Sequence, residues 1–150
     1  MKIVKISGLV LLIVFVVVQF VPTSLNQSDV IPPTDIMKTY DVPKQVEAIF
    51  KTSCYDCHSN NTNYPWYNKV QPMAWVLEDH INKGKEELDF SDFGSYSKRR
   101  QKSKLKSIRS QIEDDEMPLS SYTLIHRDAK LSESDKVMVV EWVNKIIDSL

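Results

Sequence analysis

The chain has 150 residues, room for one modest core, and its 19 basic and 20 acidic side chains leave a net charge of −1. Nothing in that balance points to nucleic acid or to an acidic lipid surface. Two cysteines are too few for a disulfide framework, and three glycines among abundant Leu, Ile, Lys and Glu favour helices over a turn-rich β-sandwich.

Residues 1–22 stand apart. Lys2 and Lys5 precede an apolar run over residues 9–18, with Ile6 in front and Phe20 and Val21 behind. A membrane-spanning helix needs about 20 apolar residues, with a lower limit near 17, and this run sits at that limit. No small-x-small cleavage site is evident, and Val21-Pro22-Thr23-Ser24 matches one poorly. The segment therefore reads as an uncleaved anchor, with a cleaved signal as the alternative. The two lysines place the N-terminus in the cytoplasm and the remainder outside. Residues 23–41 read as a linker: polar, stiffened by Pro32-Pro33 and without helical period. Asn26-Gln27-Ser28 and Asn60-Asn61-Thr62 match the glycosylation sequon, which carries little weight without a eukaryotic source.

The remaining stretch, residues 42–150, reads as one helical domain. A first helix is expected over residues 42–52, capped by Asp41, with Val46, Ile49 and Phe50 on one face. It leads into Cys54-Tyr55-Asp56-Cys57-His58, which spells C-x-x-C-H. Two thiols at this spacing can add to the two vinyl groups on one porphyrin edge, and the next residue, His58, can offer an imidazole nitrogen to the iron. The motif thus predicts one covalent haem c, with Cys54 and Cys57 attaching it and His58 as proximal ligand. Three other uses of the motif are weighed against this. A zinc site would need His80 and His126 to complete it, since no second C-x-x-C exists. A redox dithiol would sit in a βαβ setting, and no strand-like alternation flanks the motif. A structural disulfide across so short a loop is less favoured still.

Tyr64, Trp66 and Tyr67 surround Pro65 in a turn-rich loop, placed either to cover a haem face or to pack the loop on the core. A second helix is expected from Pro72 to a C-terminal cap at Gly84, with Met73, Val76, Leu77, His80 and Ile81 on its apolar stripe. Residues 89–96 form a connection with Phe90 and Phe93 inward. A third helix follows over residues 97–113, with Leu105, Ile108 and Ile112 as a narrow stripe. Its other faces carry Lys98, Arg99, Arg100, Lys102, Lys104, Lys106 and Arg109, and its acids come last. That order opposes the helix dipole, so the patch is not there for helix stability. It reads either as a solvated face or as a surface that steers an acidic redox partner. Residues 119–131 look irregular. A last helix starts at the cap Ser132, with Glu133 and Asp135 in its first turn and Val139, Val140, Trp142, Val143, Ile146 and Ile147 inward.

These motifs resemble two related groups. A helix before C-x-x-C-H, a downstream Met-Pro and an aromatic-bearing last helix resemble a small class I cytochrome c, in which the first and last helices cross. The order Cys54-Tyr55-Asp56-Cys57-His58-Ser59-Asn60, Tyr64-Pro65-Trp66-Tyr67, Gly84 to Phe93, Glu116-Met117-Pro118 and Leu131-Ser132 is similar to the bacterial haem-binding domain family of small exported proteins. The resemblance covers residues 42–143 and implies haem binding; it implies little about the partner.

Together these readings predict an all-α, cytochrome c-like domain behind one N-terminal membrane helix. It would carry one electron at a time between redox partner proteins at the outer, periplasmic face of a bacterial cytoplasmic membrane, and would not be an enzyme. A haem-based sensor or peroxidase-like enzyme with an open distal site is the alternative, though no distal Arg-His arrangement is offered. Met117 is the expected distal ligand, with His80 as the alternative and His126 behind it. Met117 follows a helix end, Pro118 restricts its backbone, and a Met-Pro at this remove resembles the ligand loop of class I cytochromes c.

Overall fold

The computed structural model describes residues 2–28 and 30–150, in which the chain forms eight α-helices and three 3-10 turns, with no strand among those residues. Met1 and Asp29, inside the expected anchor and linker, lie outside the described residues. The helices are α1 (Lys2–Val18), α2 (Ile36–Thr39), α3 (Lys44–Ser53), α4 (Tyr55–His58), α5 (Met73–Glu87), α6 (Lys98–Glu113), α7 (Ser120–Thr123) and α8 (Glu133–Ser149).

The long helices start where local chemistry permits. Ser132 accepts from the Asp135 N–H while Asp135 accepts from the Ser132 N–H, a capping box that opens α8. Ser97 caps α6 by accepting from the Arg100 N–H. The helix expected from residue 42 begins at Lys44, with Pro43 as its N-cap and Asp41 outside it. A residue before proline is driven out of the helical region, so Val42 cannot belong to the first turn. The end of α6 also has a definite form. Asp115 adopts φ 57°, the Glu116 N–H donates to the Gln111 carbonyl and the Asp115 N–H to that of Ile112. This Schellman arrangement stops the helix and turns the chain sharply, and it leaves the Met117 N–H bonded to the Gln111 carbonyl as well.

The core lies where α3, α6 and α8 meet. Val46 and Phe50 from α3, Leu105, Ile108 and Ile112 from α6, and Val139, Trp142, Val143, Ile146 and Ile147 from α8 are all buried there. Phe50 stands edge-on to Trp142 at 5.6 Å, so the helix before the motif packs on the last helix, as the resemblance to class I cytochromes c implies. Burying one such aromatic contributes on the order of 2–3 kcal/mol. Phe50 also stacks on Phe90 at 5.2 Å, and Phe90 stacks on Tyr55 and meets His58 edge-on. One aromatic column thus runs from the core into the C-x-x-C-H segment.

Two expectations about the N-terminal third change. Residues 23–41 are not a free linker. Ile36 is fully buried in the core, and buried Asp35 caps α2 and accepts from the Tyr55 hydroxyl. Asn26 makes five hydrogen bonds. Its N–H donates to the Tyr64 hydroxyl, its carbonyl accepts from the Thr62 N–H, its Nδ2 donates to the Ser59 carbonyl and Thr62 Oγ1, and its Oδ1 accepts from Lys85. The strapping groups are polar, so hydrophobic period cannot reveal them. The Asn26 and Asn60 amides, both in sequon matches, are engaged within the fold. As for the expected membrane helix, α1 forms but has 17 residues, and among the described residues no helix is long and apolar enough to cross a membrane.

Candidate functional site

Helix α4 is a single turn made of C-x-x-C-H without its first residue; Cys54 is the junction from α3. Helix α5 backs it closely. A Cβ on Gly84 would lie 2.7 Å from the Cys57 carbonyl oxygen. Only glycine admits that approach, so Gly84 is a packing residue inside α5 rather than the expected C-terminal cap. The helix runs on to Glu87 and is capped by Leu88. A signal was present: Leu77, Ile81, Gly84 and Leu88 share one heptad-like stripe, so the glycine stands on the buried face.

That contact orients the histidine. His58 Nδ1 lies 2.9 Å from the Gly84 carbonyl oxygen and 2.9 Å from that of Leu88. Carbonyls only accept, so Nδ1 carries the proton and shares it between them. Nε2 is then the nitrogen with the lone pair. The two carbonyls belong to the last turn of α5, the negative end of its dipole. They fix the imidazole tautomer and ring orientation, as an outer-shell partner does for a metal-ligating histidine. The His58 carbonyl in turn accepts from the Phe90 N–H at 2.7 Å.

Asp56, between the two cysteines, ties the turn to its surroundings. Its carboxylate accepts from the Tyr122 hydroxyl at 2.7 Å and from the Asn63 N–H at 3.0 Å, and its carbonyl accepts from Thr62 Oγ1. Tyr122 stacks on His126 at 4.3 Å, and His126 Nε2 is hydrogen-bonded to the Tyr67 hydroxyl at 2.8 Å. Burial, and then the bond to Asp56, push the Tyr122 hydroxyl pKa up. Neither Asp56 nor Tyr122 carries a sequence signal for this role, because the bond spans 66 residues.

Two cavities flank the motif, of about 320 and 360 Å³. Both are walled by Ser53, Cys54, His58, Glu87, Met117 and Pro118. The first adds Cys57, Tyr67, Met73, Val76, His80, Tyr122 and Ile125. The second adds Leu88, Phe90, Lys104, Gln111, Ile112 and Leu131. Met73 and Val76, expected in the core, are instead partly exposed and wall this space. Cys54, Cys57, His58 and Met117 are thus brought together. His80 joins them on the first cavity only, and His126 is held away by Tyr67 and Tyr122. Of the aromatic loop, Tyr67 faces the first cavity, Tyr64 holds Asn26 and Trp66 is exposed.

The donor set fits a haem. Two thiols, an imidazole with a defined lone pair and a thioether surround largely apolar space with a few polar groups at its edge. The alternatives fit less well. Burial pushes Cys54 up to about 12 and Cys57 up to about 11, with the neighbouring Cys57 and Asp56 adding to the two effects respectively. A redox dithiol needs a lowered value. Among the described residues no three His, Cys, Asp or Glu side chains gather to hold a metal ion, so the Cys-His zinc set is not assembled.

A family model described as a haem-binding domain matches residues 13–145. No curated protein and no solved structure matches the chain. The family match spans most of the sequence, from within α1 into α8. The chain belongs to the haem-binding domain family.

Proposed function

We propose that the protein carries one covalent haem c and transfers single electrons. When bound, the haem supplies a reversible one-electron iron couple. Cys54 and Cys57 form the thioether links, His58 Nε2 is the proximal ligand and Met117 the distal one. The observation that carries this reading is the commitment of His58 Nδ1 to the Gly84 and Leu88 carbonyls, which leaves Nε2 as donor on a wall shared with both cysteines and Met117. Met117 is favoured over His80 by position. His80 is one turn before Gly84 on α5, the helix that backs the proximal histidine. Met117 comes from the separate α6–α7 connection and walls both cavities beside His58.

Two further features support the setting. Helix α1 spans about 25 Å at 1.5 Å per residue. Bonds from the N–H groups of Gln19, Phe20 and Val21 to carbonyls three residues back carry the winding on to Val21, adding about 6 Å. Without the turn that carries Lys2 and Lys5, the apolar part falls a few Å short of the ~30 Å of a bilayer's hydrocarbon core, so the anchor reading rests on the apolar run itself, and the lysine flank puts the haem domain outside. On α6, Lys98 and Arg100 lie over the rings of Tyr40 and Tyr96, Lys104 pairs with Glu87 and Arg109 with Glu113. Arg99, Lys102 and Lys106 are left to meet an acidic redox partner.

Absorption spectra of the haem-loaded protein test the ligands. Haem should resist acid–acetone extraction, and Cys54→Ala or Cys57→Ala should leave little holoprotein. Met117→Ala should abolish the weak far-red sulfur-to-iron band and lower the reduction potential, while His80→Ala leaves both largely intact. Extractable haem sinks the covalent assignment. A Met117 change that leaves the spectrum untouched, with His80→Ala turning it high-spin, transfers the distal role to His80.

A further inference from the structure

The segment that leaves α1 is bonded to the haem domain from its first residue. Gln19 Nε2 donates to the Gln71 carbonyl at 3.2 Å, and Gln19 Oε1 accepts from the Gln71 N–H at 2.9 Å. Gln71 is itself buried, and its Nε2 donates to the Val21 carbonyl at 3.2 Å. Ser24 then bonds Glu78 through both its N–H and its hydroxyl, and Asn26 completes the strap. The stretch around residues 66–71 is therefore held at the end of α1. It carries Trp66, 78% exposed, close in sequence to the clamp, while Phe20, 82% exposed, lies inside the clamp. Between His58 and Glu78 the only charged residue is Lys69.

We infer that the Trp66–Lys69 turn is a membrane-contact surface, with Trp66 and Phe20 entering the boundary between headgroups and hydrocarbon and Lys69 meeting an anionic lipid headgroup. The inference rests on the reading of α1 as an anchor. A bilayer that receives α1 ends near Val21, and the Gln19–Gln71 clamp sets the turn at that level. Tryptophan prefers this boundary because its ring is apolar and its N–H still reaches water or headgroups. Lys69, with no acidic residue near it in sequence, adds attraction to anionic lipid. The haem domain is then fixed in orientation against the membrane instead of swinging on a tether.

Lipid photocrosslinking tests this. The haem-loaded full chain is prepared as Trp66→Cys and as Glu141→Cys, the latter on an exposed part of α8. Each new thiol takes a benzophenone maleimide, with the wild-type chain as labelling control. The proteins are mixed with vesicles of phosphatidylethanolamine and phosphatidylglycerol, floated, irradiated and weighed by mass spectrometry. Lipid adducts at position 66 and none at position 141 support the inference. A chain that floats but gives no adduct at 66 overturns it and leaves the anchor reading standing. A chain that does not float overturns both.

Discussion

At residue 84 a single hydrogen atom decides how the motif is held. Replacing Gly84 with Ala would put a methyl group 2.7 Å from the Cys57 carbonyl oxygen and 3.3 Å from the Cys57 carbonyl carbon. These are backbone atoms that no rotamer change moves aside, so α5 must back away from α4 and loosen the His58 bonds. Overpacking of this kind costs about 1–3 kcal/mol. Gly84→Ala should lower the thermal unfolding midpoint and disturb the haem spectrum. Gly8→Ala, with nothing within 4 Å of the added carbon, should do neither. The residue scale is also where the sequence is most and least readable. Cys54, Cys57 and His58 announce themselves because their spacing is the chemistry. Asp56 and Tyr122 do not, since a carboxylate inside a motif and a tyrosine 66 residues away share no local pattern.

Among the elements, α8 offers the clearest test of local chemistry. Hydrogen bonds from the Ser132 hydroxyl, and then its N–H, hold the Asp135 carboxyl below its usual range. The sign follows: the cap's charge-dependent stability is fully present above the unfolded value of about 3.9 and is lost as pH falls through the depressed folded value. Ser132→Ala should cost about 1 kcal/mol at pH 7. The gap from wild type in urea unfolding should narrow below about pH 4. A gap that stays constant into acid would assign the loss to something other than the carboxylate. This helix was legible because cap and apolar face agree. Helix α3 was legible within two residues, and proline sterics account for the shift. The short α2 and α7 were missed because four residues carry no measurable period.

On the scale of the whole molecule, the strap through Asn26 joins α1 to the loop after C-x-x-C-H. Asn26→Ala would strand the Ser59 carbonyl beneath it and take one of the two hydrogen bonds of the Thr62 hydroxyl, which keeps its bond to the Asp56 carbonyl, at a cost of about 1–3 kcal/mol. The variant should show a lower unfolding midpoint and faster amide exchange at Thr62, whose N–H is bonded to the Asn26 carbonyl. Core packing there should be untouched, so exchange on α6 and α8 should change less. The packing of α3, α6 and α8 could be anticipated from apolar stripes. The strap could not, since its bonds join an irregular segment to residues 33 to 59 positions away through single polar side chains.

The sequence positions of these pieces also set an order in time. Much of what packs around Cys54 and Cys57 is synthesised after them: Gly84 and Leu88 behind His58, Phe90 beside it, then Met117 and Tyr122. A chain made as far as residue 60 presents both thiols on an open segment. Once Tyr122 has reached Asp56, the same thiols are half-buried, and burial pushes their pKa values up. If the haem is attached covalently, as proposed, the open segment present before closure gives the two thiols their freest access to it.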